Sequence, residues 1–213
     1  MPHASVIRRV ALALLSCSVA VPAGLAAQHS NMKASELRAD MRKLWEDHIT
    51  WTRLYIVDAT GNLPEKDATL QRLLKNQTDL GNAIKPFYGD AAGEKLTGLL
   101  KTHITIAGEI VDAAMKGDEA KKADAAKRWT ANADELAVFL SGANPTNWPV
   151  EDLKHMLHSH LDLTTQEVTA HLQKKWEDDI EAYDKVHGQI LQMADALAMG
   201  IAKQFPQKVV AEQ

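Results

Sequence analysis

The chain has 213 residues, 46% of them hydrophobic and 24% charged, with a formal net charge of −4. This is ordinary globular composition with enough apolar residues for one good-sized core, and it is too poor in Pro and Gly for a disordered chain. An acidic balance without a basic stripe argues against a nucleic-acid partner.

Residues 1–27 read as a secretory signal peptide. Arg8 and Arg9 precede an apolar run over residues 10–21, and the small residues Gly24, Ala26 and Ala27 follow. The run is too short to span a bilayer. Cleavage near Ala27 predicts an exported protein, periplasmic or extracellular, with residues 28–213 as one domain. The single cysteine, Cys17, ends a Leu14-Leu15-Ser16-Cys17 stretch that looks like a lipobox. Lipid anchoring through Cys17 is the alternative, and the apolar continuation after Cys17 favours cleavage. A cleaved chain would have no thiol for a disulfide, a thiolate metal site or a nucleophile. No second apolar run is long enough for a transmembrane helix.

Six helices follow. The first covers residues 35–59, with Ser35 as N-cap and Gly61-Asn62 as its stop. The second opens at Pro64 and closes before Lys85-Pro86. The third starts after Gly89-Asp90 and stops at Gly117. Asp118 caps the fourth, which runs to Ser141, and residues 142–149 form a loop. The fifth covers 149–172 and the sixth 176–204, ended by Phe205-Pro206. Each carries one apolar stripe at helical spacing, as in Leu37, Met41, Leu44, His48, Trp51 and Tyr55 of the first. No segment alternates apolar and polar residues, so no strand is expected. Short connections make sequence neighbours antiparallel. The expected fold is all-α, an up-down six-helix bundle built from three related helical hairpins.

The relation between the hairpins is visible in their polar interruptions. His48, His103 and His160 stand mid-way along the opening helix of each hairpin, 55 and 57 residues apart. Asn76, Asn132 and His187 stand at similar places in the closing helices. Polar groups repeated at one height of a bundle form either a binding site or a buried polar layer. Neutral imidazoles oriented by nearby carboxylates hold transition metals, so His48, His103, His160 and His187 are candidate ligands for Zn, Cu or Fe. Asn76, Asn132, Asp134, Asp162, Asp184 and Trp51 are the candidates around a bound small ligand. The competing reading is a structural or envelope-interaction protein whose polar layer fixes helix register. A haem or non-haem iron oxidoreductase is a third and weaker one.

Known motifs narrow this further. The paired Glu-x-x-His of di-iron bundles is missing, with Asp184-x-x-His187 and Asp152-x-x-His155 as loose analogues. There is no Cys-x-x-Cys-His, phosphate loop or nucleophile elbow. His155 and His158 point away from His160 and read as surface, and Arg53 reads as a surface ion-pair residue.

The segments LWEDHITWTRLYI, NQTDLGNAIKPFYG, RWTANADELAVFLSGANP, HLDLTTQEV and AYDKVHGQILQMADALAMGI resemble a family of small uncharacterised bacterial helical proteins, over most of residues 36–206. Automated labels on its members, glycosyltransferase among them, conflict with the absence of any nucleotide-sugar fold. The resemblance implies a helical fold and weight on the segments around His48, His103, Asn132, His160 and Asp184, and carries no mechanism.

Overall fold

The computed structural model describes residues 32–210. The segment read as a signal peptide, Cys17 included, lies outside them. Six helices are present: α1 (Ala34–Thr60), α2 (Lys66–Tyr88), α3 (Asp90–Met115), α4 (Glu119–Ala143), α5 (Val150–Leu172) and α6 (Trp176–Gln204). They form an all-α up-down ring in which each helix packs on its sequence neighbours and α6 closes on α1. No described helix is long and apolar enough to cross a membrane.

Local chemistry sets most boundaries. Asp118 caps α4 as its spacing predicts, accepting from the Lys121 amide at 3.1 Å. At α1 the cap differs from expectation. Glu36, not Ser35, does the work, reaching back to the Lys33 amide at 3.0 Å. α2 also runs past the expected stop, with Pro86 inside it. Pro86 sits in the last turn, so it removes only one hydrogen bond before Gly89 reverses the chain at φ 85°. Phe87 and Tyr88 meanwhile pack against the core.

The expectation of no strand needs one small correction. β1 (Met32–Lys33) and β2 (Val209–Val210) pair in parallel, Met32 with Val209. Two residues are too few to show alternation in sequence.

Two contacts fix the helices closely. At the α2–α3 crossing, a Cβ on Gly81 would fall 2.5 Å from the Gly93 carbonyl oxygen, and one on Gly93 would fall 2.6 Å from that of Gly81. Only paired glycines allow this approach. The 144–149 loop, shorter than expected because α4 runs on to Ala143, plugs the end of the ring. Asn144 Nδ2 donates to the Gly200 carbonyl at 2.9 Å, and Trp148 Nε1 donates to that of Ala196 at 3.2 Å. The interior divides into a larger apolar cluster near the plugged end and a smaller one around Tyr55, Ile56, Leu73, Ile104, Val111 and Val168.

Candidate functional site

The ring brings three of the four candidate metal histidines together at the level where the two apolar clusters meet. His48, His103 and His160 are buried, and their ring centroids are 5.8 Å apart for His48–His160 and 6.3 Å for His103–His160. Each opening helix projects its histidine inward because it occupies a core position of the apolar stripe.

Each histidine meets an amide 29 residues later in the closing helix. Gln77 Nε2 lies 3.3 Å from His48 Nδ1, and Asn132 Oδ1 lies 3.0 Å from His103 Nδ1. Gln189 bears on His160 and favours its protonated form. His160 Nδ1 and Gln189 Oε1 nevertheless remain buried without a hydrogen-bond partner among the described residues. A second amide contact repeats as well. Asn76, Asn132 and Gln189 donate to the carbonyls of Leu44, Leu99 and Met156 at 2.9, 3.2 and 2.9 Å. Each of those carbonyls lies four residues before its histidine.

The repeat is therefore Gln77, Asn132 and Gln189, spaced 55 and 57 like the histidines. His187 does not join the layer. Its Nε2 lies 3.2 Å from Glu46 Oε1 at the surface, and its ring stacks on Tyr183. Asp162 and Asp184 are exposed. Asp134 pairs with His158 at 3.0 Å on the outside of the α4–α5 seam. Trp51 is half-buried under the guanidinium of Arg72, 4.9 Å from the ring centroid. Asn76 belongs to the layer, through its bond to Leu44. Among the described residues no group of three or more His, Cys, Asp or Glu side chains is arranged to hold a metal ion.

The layer is electrically neutral near pH 7. Burial, reinforced by the neighbouring imidazoles, pushes His48 well below the usual histidine range. Burial takes His103 down to about 3 and His160 to about 4.

Beside the layer, towards the C-terminal ends of the opening helices, a cleft of about 340 Å³ runs into the α4–α5 seam. Its deep wall is apolar, formed by Ile56, Leu73, Ile104 and Val111 among others. Thr52, Thr164 and Trp129 form its face towards the layer. Thr52 and Thr164 donate their hydroxyls to the His48 and His160 carbonyls at 2.7 and 2.9 Å. They therefore offer a ligand only acceptor lone pairs. Trp129 packs on His103 at 5.0 Å, and its Nε1 has no partner among the described residues. The outer rim carries Ala123, Ala126, Lys122 and Gln173.

Arg53 is not the surface residue its sequence suggests. It spans α1, α5 and α6, donating to both Asp179 oxygens and, at 3.0 Å, to Glu167. His171 Nδ1 lies 2.8 Å from Asp179, and both acids are 1% exposed. Burial, opposed by Arg53, pushes Glu167 up to about 7. Burial also pulls Asp179 upward, but the bonds from Arg53 and His171 outweigh it and leave the carboxyl below its usual range. Nothing in the local sequence marks these four residues as one cluster.

Set against family models, curated proteins and solved structures, the chain matches none of them.

Proposed function

We propose that the bundle binds a small, largely apolar ligand in the α4–α5 cleft, with the histidine layer as the polar inner boundary of that site. The observation that carries the reading is the cleft itself: about 340 Å³, within the size range of small-molecule sites, with an apolar depth and few polar groups. Protein interiors otherwise close such spaces. A neutral dye, N-phenylnaphthylamine, should bind saturably at one site and change Trp129 fluorescence. Ala126→Phe, which fills the cleft, should abolish the binding. Absence of saturable binding in the folded wild type would sink the reading.

A second reading has the layer itself take a divalent transition metal (Zn, Cu or Fe). The unpaired Nδ1 of buried His160, beside two further imidazoles, supports it. The rings would have to turn towards a common point. A metal-dependent rise in melting temperature, lost in the His48→Ala/His103→Ala double variant, is the expected result. No rise with any of the three metals would leave the layer as a device that sets helix register.

A further inference from the structure

The cleft lies in one of three equivalent seams, and at the α6–α1 seam the same place is filled. The offsets of 55 and 57 residues that relate the histidines also relate Arg53, Gly108 and Thr165 on the opening helices. The second offset, applied to the closing helices, relates Lys122 to Asp179 and Ala126 to Tyr183. At the α6–α1 seam, Arg53 lies over the Tyr183 ring at 5.7 Å and bonds Asp179. At Gly108 the Tyr55 hydroxyl comes within 3.0 Å of where a side chain would begin. At the α4–α5 seam the same positions are Thr165 and Ala126, and both line the cleft. The fold can fill this place and does so elsewhere. Here small residues leave it open.

The charge at the rim is reversed as well. In the filled seam a cation from the opening helix meets Asp179 of the closing helix. In the open seam the Asp179 position carries a cation, Lys122, and the Arg53 position carries neutral Thr165. Among the described residues Lys122 pairs only with Glu119 of its own helix, an exposed partner one turn away. Such surface pairs are worth little. The remaining polar lining from α5, Thr164, Thr165 and Thr169, is uncharged, as is Gln173 at its end.

From this juxtaposition we propose the ligand class: an amphiphilic acid, with its apolar body in the cleft and its single anionic head on Lys122. The inference rests on the small-ligand reading given above. Lysine buries its stem along apolar surface while its ammonium stays at the rim, which suits an acid group held at the water boundary.

Displacement of bound N-phenylnaphthylamine from the full-length folded protein tests it, with decanoate, decanol and decylamine as competitors. Decanoate should displace the dye at a concentration about threefold below that of decanol, with decylamine weakest; that ratio is the return expected of one exposed ion pair. Lys122→Met, a rim change that leaves the core intact, should bring decanoate to the decanol value. Decanol or decylamine equal to decanoate in the wild type would overturn the acidic head and leave the cleft reading standing. Preference for decanoate persisting in Lys122→Met would overturn the role of Lys122. Failure of the dye itself to bind would overturn the small-ligand reading and this inference with it.

Discussion

Asn132 reaches two elements of α3 at once, His103 Nδ1 through Oδ1 at 3.0 Å and the Leu99 carbonyl through Nδ2 at 3.2 Å. One amide thus satisfies a buried imidazole and ties the two helices of its hairpin at a fixed height. In the first hairpin Asn76 and Gln77 divide the same two contacts. Asn132→Ala should cost about 1–3 kcal/mol, because it strands the partner nitrogen. Adding His103→Leu should cost less than the sum of the two single changes. Urea unfolding of the four proteins in the cycle measures the coupling.

Stability should fall steeply in mild acid. The three layer histidines have folded pKa values below that of the free side chain. The unfolded chain therefore takes up their protons first. The stability they confer is present above about pH 6.5 and is lost as pH drops towards their folded values, by about 1.4 kcal/mol per pH unit for each histidine. Glu167 works in the opposite sense: its folded pKa is raised to about 7, so the stability it confers when protonated is lost as pH rises from the usual carboxylate range to about 7. The histidines outnumber it, and the maximum should lie near neutrality. Unfolding curves at pH 5, 6, 7 and 8 check this, and an unchanged midpoint from 8 to 5 would contradict burial of the layer.

Glu167→Gln removes the ionisation that costs stability between the usual carboxylate range and pH 7. Its unfolding midpoint should rise more steeply from pH 5 to pH 7 than that of the wild type, because the histidine contribution is then unopposed. Arg53→Met should be far worse, by roughly 3–5 kcal/mol, because it leaves Asp179 buried beside Glu167 without its cation. Thermal unfolding of both variants at the two pH values gives the comparison.

Gly81→Ala should destabilise, although alanine is the better helix former by about 1 kcal/mol. The new methyl would meet the Gly93 carbonyl oxygen at 2.5 Å, and backbone there cannot yield cheaply. Gly98→Ala, on the neighbouring helix α3, has nothing among the described residues within 4 Å of its added carbon and should stabilise. Opposite shifts in melting temperature are the expected outcome.

The helices were readable because their stripes recur at helical spacing and their turns carry Gly, Asn and Pro. The histidine trio was readable from its spacing alone. Its amide partners were not, because Gln77 and Gln189 have the composition of surface residues while His187 draws the eye as a ligand. Two positions on a helix are about 200° of rotation, so His187 faces the surface when Gln189 faces the layer. Arg53, Glu167, His171 and Asp179 each look like solvated charges, and only the closure of α6 on α1 joins them. The cleft was hidden for a different reason. Ala123 and Ala126 read as ordinary helix formers, and their meaning appears only when Ala126 is set beside Tyr183 in the matching seam.

The pairing of Met32 with Val209 has a practical consequence. The chain enters and leaves the ring side by side, at the end away from the cleft. A tether or label attached beside Met32 or Val210 would leave the cleft mouth facing outward. The same adjacency makes the ring a candidate for circular permutation: a short linker across the paired strands, with new ends cut in the turn near Asn62, would keep all six helices whole.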